Sequence, residues 1–206
     1  VTPPTDNTGW ATNPIDAFVL SRLHKQDLLP GRAADPRTLV RRVWFDLIGL
    51  PPPWTAVEAF VKDPSSDAWR QLVEQLLDST QYGERWGRHW LDLARYSDTQ
   101  GGSVDCPIPQ AHLYRDYVID SFHTDKPYDV FIREQIAGDL MAAERPTERF
   151  AESVIATGFV GLSLRNGIFK HYHPELIIED TIDTIGRSIL GMTIRCSRCH
   201  DHKVEP

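Results

Sequence analysis

Seven residues near the carboxyl end, Cys196-Ser197-Arg198-Cys199-His200-Asp201-His202, carry the densest chemistry in the sequence. They contain Cys-x-x-Cys-His, the pattern of covalent haem c attachment. Two thiols separated by two residues can add to the two vinyl groups of one porphyrin. A histidine directly after the second thiol then falls under the iron and supplies its proximal nitrogen. The pattern is specific because uncommon residue types must occur in one order. Three other chemistries stay open for the same residues: a redox dithiol, a plain disulfide, or part of a zinc site. A zinc site would recruit Cys106 and His202 beside Cys196 and Cys199 as a Cys3His set. Its weakness is that Cys106 stands ninety residues before Cys196.

An iron held by His200 has a second axial position, either open or filled by another side chain. Met192 is the candidate metal ligand beside His200. Met141, His89, His171 and His173 are weighed with it, although each taken singly reads more simply as packing or surface. A filled position favours electron transfer; an open one allows peroxidase-like oxidative chemistry. His202 lies two residues beyond His200, a spacing that points away from the same helical face. It is expected to reach a haem propionate or a neighbouring group. Upstream, Arg85-Trp86-Gly87-Arg88-His89-Trp90-Leu91-Asp92-Leu93-Ala94-Arg95-Tyr96 mixes cations with indoles. Its plainer reading is a core helix with arginines lying over tryptophans. Its functional reading places Arg95 on a propionate and Trp90 in the haem wall. Glu175, Glu179 and Asp183 form an acidic ridge at i, i+4 and i+8, read first as a solvated face matched to the helix dipole. A cation site or a docking patch for a basic partner is the other reading.

The elements that must position these residues read as helices. Residues 1–12 are rich in Thr, Pro and Asn and are expected to form an arm or linker. Asn13 then caps a helix opened by Pro14, with Ile15, Phe18, Val19 and Leu23 on one stripe through about Lys25. Leu29-Pro30-Gly31 stops it. Asp35-Pro36 opens the next, with Leu39, Val40, Val43, Trp44 and Leu47, and Gly49 with the run Pro51-Pro52-Pro53 ends that one. A short helix is expected over Thr55–Val61. Another starts near Ser66 and buries Trp69, Leu72, Val73, Leu76 and Leu77. Further helices follow over Tyr82–Tyr96, around Leu113–Phe122, around Tyr128–Leu140 and over Phe150–Phe159. Residues 97–109 and 161–173 read as irregular. A last helix runs from about Pro174 through Ile178, Ile182, Ile185 and Ile189 to Leu190 and delivers the cysteine turn. No sustained alternation of a strand appears. The expectation is all-α: one irregular multi-helix domain over 13–206 with a haem c attachment turn at its carboxyl end.

Composition narrows the function classes. The chain has 206 residues, 41% of them apolar, with six Trp, six Tyr and eight Phe, enough aromatic volume for a large core. A net charge of -7 excludes the basic footprint of a nucleic-acid binder. No run of 18 apolar residues exists to form a transmembrane segment. No phosphate-binding loop, nucleophile elbow or His-Glu-x-x-His is present. No leader pattern is visible, yet covalent haem implies export, so Val1 is expected near a processed terminus and the protein in the periplasm or another extracytoplasmic space. Cys106 is then left unpaired and is expected to be a buried structural thiol.

Several longer stretches resemble a known family. Asn13-Pro14-Ile15-Asp16 and Arg41-Arg42-Val43-Trp44-Phe45-Asp46-Leu47-Ile48-Gly49-Leu50-Pro51-Pro52 are similar to the opening of the planctomycete cytochrome c-like domain family. Tyr82-Gly83-Glu84-Arg85-Trp86, His89-Trp90-Leu91-Asp92, Tyr114-Arg115-Asp116-Tyr117 and Asp125-Lys126-Pro127-Tyr128-Asp129 resemble its middle motifs. Glu134-Gln135-Ile136-Ala137-Gly138-Asp139 and Cys199-His200-Asp201-His202-Lys203 resemble its later ones, although Val204-Glu205 stands where the family usually has Phe-Asp. The resemblance implies an exported protein carrying one covalent haem c, within a larger assembly and with a further redox protein or cytochrome domain as partner. It names no reaction. The chain stops six residues after His200, so a downstream segment or a partner chain is expected to cover the haem unless the upstream helices do. A structural or interaction module held by zinc or a disulfide is the alternative outside redox chemistry.

Overall fold

Asn13 starts the first helix as its position demands: its side-chain oxygen accepts the Asp16 N–H at 3.0 Å, and Pro14 takes the first turn, where its missing N–H costs nothing. The N–H and hydroxyl of Thr12 both donate to the Asp16 carboxylate, which holds that carboxyl below its ordinary range. Asp35 repeats the device on the second helix, accepting the Thr38 N–H at 3.1 Å.

A computed structural model of the chain describes residues 2–5, 8–100, 105–143, 147–162 and 174–202. The protein is all-α: among the described residues no strand forms, and one isolated bridge pairs Thr99 with Pro107. The helices are α1 (Pro14–His24), α2 (Pro36–Leu47), α3 (Trp54–Lys62), α4 (Ser66–Leu77) and α5 (Thr80–Leu93). They continue as α6 (Ala111–His123), α7 (Tyr128–Ala142), α8 (Thr147–Ala156), the single turn α9 (Gly158–Gly161) and α10 (Pro174–Ile185). The chain divides into two compact units, Val1–Leu39 and Val40–Pro206.

In the first unit α1 buries Ala17 and Leu20, which share a cavity wall with Pro4, Thr5 and Thr8 of the arm. Ile15, Phe18 and Val19 of the expected stripe face outward instead. The arm thus lies along the narrow Ala17–Leu20 side of the helix and leaves the bulkier side to solvent.

In the second unit Val40, Val57 and Phe60 make a small cluster against Trp69 and Leu72. Leu77, expected to be buried, is exposed at the last position of α4. The main core gathers Trp90 and Leu91 of α5, Tyr114, Tyr117 and Val118 of α6, Phe131 of α7, and Phe159. Its polar atoms are wired in two chains. Trp90 Nε1 donates to the Tyr114 hydroxyl at 3.0 Å, and that hydroxyl donates to Gln135 Oε1 at 2.7 Å. Tyr117 donates to the buried Glu134 at 2.8 Å, and Lys126 bonds the same carboxylate at 2.8 Å and also Glu152. A buried carboxylate is tolerated because a cation and a hydroxyl both reach it.

Three helix ends differ from the spacing-based expectation. α5 ends at Leu93 rather than Tyr96, because the chain turns left-handed at Arg95. α8 ends at Ala156 rather than Phe159, where the chain re-forms as the α9 turn. α10 ends at Ile185 and widens into a π-turn, Gly186–Leu190. Of the stretch 161–173 expected to be irregular, residues 163–173 lie outside the described residues. α7 itself breaks at Ala137 (φ -140°, ψ 28°), and Gly138 beside the break meets α8 so closely that a Cβ there would stand 2.0 Å from the Ser153 carbonyl oxygen.

The obstacle is backbone, so Gly138→Ala forces α7 and α8 apart and is expected to cost about 3 kcal/mol, measured by urea denaturation. A loss under about 1 kcal/mol would show that the crossing is not tight. The core also sets an alkaline limit. Burial, with a hydrogen bond to Asp98, pushes Tyr96 up to about 12. Burial raises Tyr114 and Tyr117 further, the latter with help from Glu134. These phenols stay neutral in the fold where the unfolded chain ionises near pH ~10. Their contribution is therefore fully present below pH ~10 and is lost as pH rises through the folded values. Phenolate absorbance at about pH 10 should report fewer than the six tyrosines of the chain, the rest appearing with unfolding. Ionisation of all six with helical dichroism intact would refute this.

Candidate functional site

The path from α10 to the cysteines is set by three backbone devices. The π-turn closes on Gly191, whose φ of 66° is left-handed and is open to glycine at no steric cost. The Met192 N–H then bonds the Gly186 carbonyl at 2.9 Å and fixes the exit direction. The chain re-coils at once as a 3₁₀ turn, Ile194–Arg198, closed by Cys199 N–H on the Cys196 carbonyl at 3.2 Å. Three residues per turn put positions i and i+3 on one edge. Cys196 and Cys199 therefore share one edge, Arg195 and Arg198 a second, and Ile194 and Ser197 the third.

All three cysteines are free and exposed, Cys106 included, contrary to the buried thiol expected there: it lies in the loop between α5 and α6 rather than on a packed helix face. His200 is exposed too, with Nδ1 2.8 Å from the Asp201 carbonyl oxygen. A carbonyl only accepts, so Nδ1 carries the proton in that contact. The neutral ring then has its lone pair on Nε2, the nitrogen a metal would use.

The arginine edge anchors the turn. Arg198 Nη1 lies 2.5 Å from Glu179 Oε2, and Arg195 Nε lies 3.4 Å from Oε1 of the same carboxylate. Glu179 is 17% exposed, so this shared anion is screened less than an open surface charge. On the same helix Asp183 binds Arg187 at 3.0 Å, and Asp180 binds Arg95 of the α5 terminus. The acidic ridge, read first as a solvated face, is thus largely taken up by arginines. Ile178 and Ile182 are exposed and wall a cavity of about 400 Å³ with Ile194, Arg195 and Arg198. Neither cysteine lines it.

Arg95 reaches Asp180 from an unusual backbone. Its φ is 59°, and it follows the last turn of α5, where Tyr96 N–H bonds the Leu91 carbonyl at 2.9 Å and Arg95 N–H that of Asp92 at 3.3 Å. That is a Schellman cap with arginine where glycine is usual. Burial draws the Arg95 pKa down, and the nearby Asp183 carboxylate opposes the shift.

The other sequence candidates fall in different places. Trp90 is 6% exposed, packed on Phe131 and Phe159 and bonded to Tyr114. Met192 is half-buried between the π-turn and the 3₁₀ turn, and His202 is half-buried just beyond the motif. His89 is exposed, edge-on to Trp86, and Met141 is half-buried near the end of α7. His171 and His173 lie outside the described residues. Among the described residues no three His, Cys, Asp or Glu side chains gather as a metal site, so Cys106, Cys196, Cys199 and His202 do not form the Cys3His set. The arginine clamp was missed in the sequence. Its signal was present: Arg195 and Arg198 repeat the cysteine spacing one residue earlier.

The PSCyt2 family model, described as a protein of unknown function (DUF1549), matches residues 14–206. The chain belongs to the PSCyt2 family. No curated protein and no solved structure matches it. The match to PSCyt2 spans every element from α1 to the cysteine turn, so clamp and motif both lie inside the family's extent.

Glu179→Ala removes the shared anion. Amide exchange in the peptide covering 194–199 should quicken about tenfold while the melting temperature falls only slightly, since exposed pairs contribute about 1 kcal/mol or less. Unchanged exchange there would show that Glu179 does not hold the turn.

Proposed function

We propose that this chain is an extracytoplasmic c-type cytochrome domain that passes single electrons through one haem c bound at Cys196, Cys199 and His200. The observation that carries the reading is the geometry of one short turn: two free thiols on one edge, followed by an imidazole whose bare nitrogen is Nε2. These residues fit the group. The thiols face solvent, where the two vinyl carbons can reach them, and the His200 tautomer is the one that binds iron. A bound haem supplies a one-electron couple. The protein's part is to hold the imidazole and its tautomer by the Asp201 carbonyl and to fix the turn on α10 through Glu179. Met192 is proposed as the second iron ligand from its position before the turn. Arg95 and Trp90 act through the scaffold, Arg95 by tethering α10 to α5 and Trp90 by packing the core. The exposed cysteine edge favours a partner domain or chain that covers the haem and exchanges electrons with it.

The test is the intact mass of the chain after export with the cytochrome c maturation machinery. One haem should be added, and acidified acetone should fail to extract it. Cys196→Ala and Cys199→Ala should each leave a pigment with one thioether. A colourless chain of unmodified mass would defeat the proposal, and a colourless chain that binds zinc would favour the interaction module. A shift of the absorption bands with carbon monoxide would reveal an open iron position and move the reading toward peroxidase-like chemistry.

A further inference from the structure

A separate cavity of about 260 Å³ opens where α6 turns into α7. Its inner wall is aromatic: the buried Trp90 and Phe131, with ring centroids 4.8 Å apart, and the half-buried Phe122, 6.0 Å from Phe131. Tyr82 lines it from α5. Tyr128, 62% exposed, lines it from the first residue of α7. The one N–H of Trp90 is already given to Tyr114, so the ring brings no free donor to the cavity it lines.

Three polar residues complete the lining, and their commitments decide what fits. The Ser121 hydroxyl donates to the Tyr117 carbonyl at 2.7 Å. The Lys126 ammonium is turned onto Glu134 and Glu152 and sits 4.4 Å over the Tyr117 ring. One ammonium between two carboxylates leaves that cluster one negative charge, and Asp125 in the lining adds another. Aromatic walls in a negative field favour a cation that sheds its water readily and presents methyl groups to the rings.

We propose that this cavity binds a small quaternary ammonium compound of the choline class, held by cation–π contact with Trp90, Tyr82 and Tyr128 and by the charge of Asp125. The site does not depend on the haem reading and stands if that reading fails. Its volume admits a free small molecule and lies just below the roughly 300–1,000 Å³ of common ligand pockets, as suits a cation of choline size.

The test is calorimetric titration of the full chain with choline chloride and with tetramethylammonium. Dimethylbutanol, the neutral carbon isostere of choline, serves as the control. Saturable choline binding with the isostere at least about tenfold weaker is expected, since only the charge differs. Asp125→Asn keeps the turn, because Asn accepts the left-handed conformation that Asp125 holds at φ 49°. Tyr128→Ala changes an exposed residue. Each variant should bind choline about threefold or more weakly, with the helical dichroism of the parent. Equal binding of choline and the isostere would overturn the proposal, as would a choline response untouched by both variants or no saturable binding of either cation.

Discussion

The candidate site depends on one carboxylate. Glu179 holds Arg195 and Arg198, the residues that precede the two cysteines, and so fixes where the cysteine edge points. A five-residue 3₁₀ turn has little stability of its own, because few hydrogen bonds repay the ordering of its backbone. It needs an external anchor, and a shared anion on a helix serves. Each pair alone is worth at most about 1 kcal/mol, yet two arginines on one partly buried carboxylate restrain the turn at two points. The thiols remain unencumbered on a separate edge of the turn.

α10 must itself be held, and that restraint reaches back into the aromatic core. Arg95 bonds Asp180 from a left-handed backbone that costs a non-glycine residue about 1–2 kcal/mol. The same device recurs after α6. Asp125 takes φ 49° in a second Schellman cap, with Lys126 N–H on the Ser121 carbonyl, and Lys126 turns inward to Glu134. In both places the strained residue stands at the point where a cation must change direction. A glycine would relax the backbone. At position 95 it would also remove the guanidinium that ties α10 to α5. Removing Lys126 would leave Glu134 buried without its cation, a loss on the order of 3–5 kcal/mol for such pairs.

Much of the helical scaffold was legible because its signals are local. Asn13 and Asp35 cap helices, Pro14 and Pro36 open them, and Gly49, left-handed at φ 74°, ends one ahead of the three prolines, each acting within a few residues. The Cys-x-x-Cys-His pattern is equally local. Periodicity also located the stripes of α5, α6 and α7, but it identifies an apolar face without naming what covers it. Ile15, Phe18, Leu77, Ile178 and Ile182 match helical spacing and are exposed, while Ala17, Asp183 and Thr184 are buried.

The sequence alone therefore determined the all-α class, most helix starts and stops, and the spacing of two thiols and an imidazole. Only the tertiary structure decided that Glu179 belongs to the arginines rather than to water, that Trp90 and Tyr114 share a hydrogen bond, and that Lys126 is turned inward. The reason is range. Caps and turns are settled by neighbours along the chain, whereas Arg95 and Asp180 are 85 residues apart and Arg198 and Glu179 are 19 apart. Which charges meet is fixed by how the helices pack, and no residue pattern within one helix records that.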